Sequence, residues 1–250
     1  MEIIQVLFRW IHIVAGIMWI GLLYFYNFVN SAFAPTMDDE TKRKVFPELF
    51  PRALFWFRWG AAWTWITGAV LLLVVFYHGG LMFDQEHGWS TGSYAMLAVT
   101  FLGVFIYDAL FRIVKNERVA VVAGFVLIGL AIYGFVTWGA FEYRAYVIHT
   151  GALFGTIMAF NVWFRIWPAQ QKIIPAIKEG NAPDVGLLAL AGTRSKHNTY
   201  LSVPLIWAMI NAHHEGTPPQ DAWWYLPIVI VIGWIAVYLL YQKAPKIKGF

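Results

Sequence analysis

Histidines are the residues of this sequence best suited to hold a metal or a cofactor. The chain has 7 histidines and no cysteine, so thiolate zinc sites, iron–sulfur clusters and covalently attached c-type haem are excluded. His12 and His149 each lie inside an apolar run long enough to cross a membrane. Because an ionisable group inside a membrane is costly to bury, such residues mark function by default. We therefore predict that both are ligands.

Two further histidines, His78 and His213, end apolar runs. The direction of each run places them in the same half of the membrane as His12 and His149. Four histidines in one half exceed what chance placement gives, so we predict that the ligands come from this set. A polar anchor at the membrane interface is the alternative for His78 and for its counterpart His214, which follows His213. The sequence leaves open how the four histidines pair and whether one or two groups are bound.

Small residues near the two buried histidines indicate the kind of group. Gly16 follows His12 and Gly155 follows His149. Glycines beside a ligand let a flat macrocycle lie against the backbone, although they also serve ordinary helix packing in membranes. The combination favours haem b with two histidine ligands, which needs no cysteine. Copper is the alternative, since imidazole suits it too.

Two arginines lie near the predicted ligands. Arg9 precedes His12 by one helical turn, and Arg144 precedes His149 in the other ligand-bearing run. Either guanidinium could pair with a haem propionate. The alternative is that both side chains reach to the outer interface, as long basic side chains in membrane helices do.

The elements that must position these residues are membrane helices. Hydrophobic residues make up 60% of the 250 residues and charged residues 13%, whereas about a quarter of a soluble domain is charged. We predict an all-α bundle that forms a single transmembrane haem-binding domain, 1–250. Its seven predicted spans are about 3–29, 59–78, 94–113, 119–138, 145–167, 198–214 and 223–241. We expect 168–196 to form a surface loop with a short amphipathic turn.

The distribution of basic residues predicts the orientation. All Lys and Arg residues except Arg9 and Arg144 fall on one side of the seven predicted spans. Basic residues mark the cytoplasmic side, so we predict the N-terminus outside and the C-terminus inside. The net charge of +4 then follows from membrane topology, and a nucleic-acid partner is not expected. The predicted location is the bacterial inner membrane.

Three stretches resemble one protein family. The most specific is RSKHNTYLSVP at 194–204, and RWIHIVAGIMWIG at 9–21 and NVWFRIWPAQQK at 161–172 agree with it. Over roughly 3–214 the chain resembles the membrane portion of bacterial membrane-bound urate hydroxylase, the urate oxidase N-terminal domain. The resemblance implies a haem-binding integral membrane domain that works in electron transfer.

Members of that family often continue into a C-terminal cytochrome c, whereas this chain ends at Phe250 without cysteine. We therefore expect the electron acceptor to be a separate periplasmic cytochrome c or a quinone. The protein could also be a subunit of a larger respiratory complex. The same departure weakens the inference that urate is the substrate.

Three functions stay open on the sequence. The first is a haem b electron-transfer protein or subunit. The second is a self-contained urate or purine hydroxylase, with an inner substrate site at Arg194, His197 and Asn198, before a short helix that Pro204 would break. The alternative for the basic residues there is an anchor to the inner leaflet. The third is a copper-handling or transport protein.

Overall fold

The apolar runs fold as helices in a computed structural model of the chain, which describes residues 2–84, 86–213 and 222–247. These residues form seven continuous helical segments and no strand, so the all-α prediction is confirmed. The segments are α1 Glu2–Thr36, α2 Asp39–Tyr77, α3 Thr91–Ile113, α4 Glu117–Thr137, α5 Tyr143–Glu179, α6 Val185–Asn211 and α7 Ala222–Lys246.

Six of the described helices are long and apolar enough to cross a membrane; α6 is the exception. Many large apolar side chains point outward, among them Trp10, Val122 and Leu130, which are 67%, 64% and 60% exposed. Apolar side chains facing outward are expected where lipid replaces water. The protein is therefore a multi-pass helical membrane protein.

The chain divides into two compact units. The terminal unit comprises Glu2–Gly68, Met158–Ser202 and 235–247, and the central unit comprises Ala69–Ile157 and Val203–Trp234. His12 belongs to the terminal unit, and His149 belongs to the central unit.

Local sequence signals set several helix ends. The Ser90 hydroxyl accepts a hydrogen bond from the Ser93 backbone N–H and so caps the start of α3. The Asn116 side chain does the same at the start of α4. Gly180 ends α5 in the left-handed region, at φ 79°, where glycine carries no steric penalty.

Three helices contain stretches of π-helix. These are Phe25–Asn30 in α1, Leu72–Tyr77 at the end of α2 and Val162–Ile166 in α5. A π-turn inserts an extra residue and so changes which side chains point inward, and such turns occur often at functional sites. Tyr77, whose hydroxyl lies 3.1 Å from His149 Nε2, and Asn27, which donates to the Ser195 hydroxyl, lie in these stretches.

The predicted loop at 168–196 is wrong, because most of it is helical. Pro168 lies inside α5, directly after the π-turn Val162–Ile166, and α6 begins at Val185 and continues through Pro204. Ala169, Ile173 and Ala191 form a small buried cluster there. Burial of this apolar face stabilises both helices despite their prolines. The predicted break at Pro204 is also absent, because α6 continues to Asn211.

Candidate functional site

His12 is held in the terminal unit by hydrogen bonds to α2. Its Nδ1 lies 2.9 Å from the Thr64 carbonyl oxygen and 3.1 Å from the Thr67 hydroxyl. A carbonyl can only accept, so Nδ1 carries the hydrogen and the neutral ring presents a lone pair at Nε2. Among the described residues Nε2 has no hydrogen-bond partner. This is the arrangement of a metal-ligating histidine, whose second nitrogen is fixed by a backbone carbonyl.

Small residues of α2 allow this contact between helices. A Cβ at Gly60 would lie 3.2 Å from a backbone nitrogen of α1, and a Cβ at Gly68 would lie 3.0 Å from His12 Cε1. The position of a Cβ at Gly16, predicted to leave room for a macrocycle, is 3.8 Å from a Thr64 methyl carbon. Gly16 therefore faces α2 at an ordinary packing distance.

His149 has the same tautomer in the central unit. Its Nδ1 lies 2.6 Å from the Ala145 carbonyl oxygen, one turn earlier on the same helix. The Tyr77 hydroxyl lies 3.1 Å from Nε2. Because Nδ1 donates to the carbonyl, Nε2 accepts the hydrogen of the phenol. The Nε2 lone pair of His149, unlike that of His12, is therefore engaged by a phenol.

Aromatic rings enclose His149, which is 0% exposed. Its ring centroid is 4.7 Å from that of Phe141 and 5.7 Å from that of Tyr77. A metal could therefore reach Nε2 only if the Tyr77 hydroxyl moved away. The nearest atom to a Cβ at Gly155 is 4.0 Å away, on Leu205, so Gly155 leaves ordinary contact space beside the next helix of this unit.

The remaining residues predicted around a haem either lie at the surface or form a hydrogen bond to a backbone carbonyl. His78, His213 and Arg9 are exposed. The Arg144 Nε donates to the Ala212 carbonyl at 2.8 Å, just past the end of α6, which is a common way to satisfy a helix terminus. Residues 2–84, 86–213 and 222–247 contain no group of three or more His, Asp or Glu side chains placed to hold one metal ion. His214 lies outside the described residues.

The loop after α2 contains another histidine, outside the predicted spans. His87 Nδ1 lies 2.7 Å from an Asp84 carboxylate oxygen, which also accepts the backbone N–H groups of Glu86 and His87. The hydrogen bond from the His87 side chain, with those backbone bonds, lowers the pKa of Asp84. These bonds fix the shape of the loop.

The predicted inner site lies on one face of α6, within the terminal unit. Arg194 and Asn198 are 2% and 0% exposed, whereas His197 is partly buried. Asn161 donates its amide to Asn198 Oδ1 at 2.9 Å, and Asn198 Nδ2 donates to the Met158 carbonyl at 3.0 Å. Residues four apart on a helix share a face, so Arg194 and Asn198 lie on the same side of α6.

A polar network adjoins this face, and the sequence analysis did not predict it. Asn27 Nδ2 donates to the Ser195 hydroxyl at 2.8 Å, and the Tyr241 hydroxyl donates to Asn27 Oδ1 at 2.9 Å. The hydroxyls of Tyr24 and Ser202 lie 2.9 Å apart. An asparagine inside the apolar run of α1 was the available signal, since polar groups within a membrane segment mark function or specific pairing. The contacts join α1, α6 and α7 within the terminal unit.

These features define a multi-pass helical membrane protein with two imidazoles held by hydrogen bonds at Nδ1 and with a buried polar face on α6. The family model described as urate oxidase N-terminal matches residues 36–248, so the chain belongs to this family, and the resemblance inferred from its motifs is confirmed. The match includes His149 and the polar face of α6 and begins after His12. No curated protein and no solved structure matches the chain.

Proposed function

We propose that this protein binds haem b in the membrane and transfers electrons, within the urate oxidase N-terminal family. The observation that carries the proposal is the geometry of His12, whose Nδ1 is fixed by Thr64 and Thr67 and whose Nε2 presents a lone pair. Hydrogen bonding at Nδ1 raises the basicity of a ligating imidazole and fixes its orientation. Haem b supplies reversible one-electron transfer when bound.

The donor set fits a haem better than a closed metal site. Imidazole is a common axial ligand, and a haem needs only one or two protein ligands, whereas a closed copper or zinc site needs three or four. His12 and His149 are the first proposed ligands, and His78 and His213 are the further ones. Ligation by His149 requires the Tyr77 hydroxyl to leave Nε2.

The proposed setting is the bacterial inner membrane, with the N-terminus outside. The distribution of Lys and Arg along the chain supports this orientation. The proposed electron acceptor is a separate cytochrome c or a quinone. A place in a larger respiratory complex is compatible with the exposed apolar surface of the described helices.

The second proposed function is hydroxylation of urate or a related purine by this chain itself. Two observations favour it: the family match and the buried pair Arg194 and Asn198 on α6. A purine anion presents carbonyl and N–H groups in one plane, which an arginine and an amide side chain can recognise. On this proposal the polar face of α6 provides the substrate site.

A reduced-minus-oxidised spectrum of the detergent-purified protein tests the first proposal. We expect the absorption bands of a haem b, with iron by elemental analysis near one or two atoms per chain. Copper without a haem band would contradict both proposals and support copper handling.

Adding urate anaerobically to the oxidised protein, with no other electron acceptor present, separates the two functions. Reduction of the haem by urate would support the hydroxylase. A haem that dithionite reduces and urate does not would leave electron transfer as the function. Arg194→Gln should abolish reduction by urate and leave reduction by dithionite unchanged, and Arg165→Gln is the control.

A further inference from the structure

A shallow, open depression, called the cavity below, lies where α2 changes from a charged to an apolar sequence. One face of α2 alone lines it, and it lies in the terminal unit. The residues that line it are Pro47, Glu48, Pro51, Arg52, Phe55 and Trp56. The turns before it, Asp39–Lys44, are charged except for Thr41, and the predicted membrane span begins at Trp59. With the span predicted to begin at Trp59, we expect the cavity to lie at the depth of the lipid headgroups.

Prolines shape the floor of this cavity. Pro47 and Pro51 lie inside the helix and have no N–H. Each removes the helical hydrogen bond to the carbonyl four residues earlier, which leaves acceptors at this level that need another donor.

Glu48 and Arg52 place both signs of charge in the cavity. An Nη1 of Arg52 lies 2.7 Å from Glu48 Oε2 and also donates to the Glu48 carbonyl. The two side chains are 69% and 71% exposed. A guanidinium has five N–H donors, and the bonds that Arg52 makes with described residues use only Nη1. Nη2 and Nε of Arg52 and Oε1 of Glu48 therefore remain available to a ligand.

Aromatic rings complete the cavity on the apolar side. Phe55 and Trp56 are 43% and 56% exposed, and their rings meet edge to face at 5.3 Å. Tryptophan is enriched at the membrane interface, where its ring contacts both headgroup and acyl chain. The cavity therefore offers, in order along α2, a charged pair and an apolar wall.

We propose that this cavity binds the headgroup of a phospholipid that carries a primary ammonium, of the phosphatidylethanolamine class. Arg52 binds the phosphate through Nη2 and Nε, and Glu48 Oε1 accepts a hydrogen bond from the ammonium. Phosphatidylcholine carries no N–H on its nitrogen, so it cannot make the second bond. The headgroup of phosphatidylglycerol carries no cation, so the Glu48 carboxylate would lie next to the phosphate with no positive group to pair with. This site is independent of the proposed haem.

Native mass spectrometry of the purified protein tests the site. The protein is titrated with phosphatidylethanolamine, phosphatidylcholine or phosphatidylglycerol with the same acyl chains, and bound lipid is counted. We expect the ethanolamine lipid to be retained several-fold better than the other two. Glu48→Gln should remove the preference over phosphatidylcholine, and Arg52→Gln should lower retention of all three several-fold.

The chain offers a matched control pair about two helical turns before Glu48 and Arg52. Glu40 and Lys44 form an i,i+4 pair of 2.6 Å with similar exposure, outside the cavity. Glu40→Gln and Lys44→Gln should leave lipid retention unchanged, and Arg52→Lys should keep part of the phosphate binding. Equal retention of all three lipids, the strongest retention of phosphatidylglycerol, or equal effects of Glu40→Gln and Glu48→Gln would each overturn the proposal.

Discussion

His12 and His149 are the same chemical group in two different settings, one in each unit. Both donate from Nδ1 to a backbone carbonyl, so both present a lone pair at Nε2. The carbonyl belongs to the neighbouring helix α2 for His12 and to its own helix for His149. The Tyr77 hydroxyl occupies Nε2 of His149, whereas Nε2 of His12 has no partner among the described residues.

The two histidines differ in the free energy needed to form a bond between Nε2 and a metal. His12 can bind a metal without breaking a hydrogen bond, whereas His149 must first release the Tyr77 hydroxyl, at a net cost of about 1 kcal/mol. The aromatic rings around His149 would also have to rearrange, because a close-packed core leaves no space for a large group. Nε2 of His12 is thus available to a metal, whereas binding of a metal by His149 requires the Tyr77 hydroxyl to move away.

The largest effects are expected from removing the imidazoles. His12→Ala and His149→Ala should each remove or convert a haem, seen as a loss or shift of bands in the reduced-minus-oxidised spectrum. His149→Ala should also lower the free energy of unfolding, by about 2–4 kcal/mol and more than His12→Ala, because it leaves a fully buried cavity and an unpaired Tyr77 hydroxyl. His87→Ala, in the exposed loop, is the control. Spectra that both alanine variants leave intact would show that the ligand proposal is wrong.

A smaller effect is expected from crowding His12 without touching it chemically. In Gly68→Ala the new Cβ would lie 3.0 Å from His12 Cε1, so the ring must tilt by a few tenths of an ångström. We expect several-fold lower haem retention, measured as haem per chain after gel filtration. The fold should hold, because alanine is the better helix former by about 1 kcal/mol.

Gly21→Ala is the matched control for Gly68→Ala. A Cβ at Gly21 meets no described atom within 4 Å, so this variant should retain haem like the unmodified protein. Equal losses in the two variants would mean that general perturbation of the helices, and not displacement of the imidazole, explains the effect.

Tyr77→Phe tests whether the phenol limits His149. The variant removes the hydrogen bond to Nε2 and keeps the ring packing. We expect a loss of about 1 kcal/mol in stability without haem, together with faster or more complete haem incorporation. Rates of haem uptake by the haem-free protein provide the measurement. Slower uptake would show that Tyr77 holds His149 in the binding geometry instead of blocking it.

The sequence predicted the helical membrane architecture because long apolar runs are a strong signal. It did not predict that α5 continues to Glu179 or that α6 begins at Val185, because prolines in a polar stretch are typical of a loop. The helices there are stabilised by packing of Ala169 against Ala191, which the local sequence does not reveal. The sequence identified His12 and His149 as candidates from their depth. It could not find the partner of His12, since Thr64 lies 52 residues away and no periodicity within one helix encodes a contact with another.

The smallest effect is expected at Thr67, the second partner of His12. Thr67 Oγ1 donates to the Trp63 carbonyl at 2.6 Å, so it accepts from His12 Nδ1 at 3.1 Å. Thr67→Val removes this acceptor and leaves the Thr64 carbonyl in place. The imidazole becomes a weaker base, which stabilises the oxidised metal less and raises the midpoint potential by on the order of 20–40 mV, equivalent to less than about 1 kcal/mol.

The control for Thr67→Val is a buried threonine in the central unit. Thr100 also donates to a carbonyl one turn earlier, that of Met96, at 3.0 Å. Thr100→Val makes the same change in volume and polarity but removes no hydrogen bond to His12, so the midpoint potential of this variant should equal that of the unmodified protein. Redox titration of both variants followed at the haem band provides the measurement. If both potentials shift equally, the hydrogen bond from Nδ1 to Thr67 does not tune the ligand, and the Thr64 carbonyl alone orients His12.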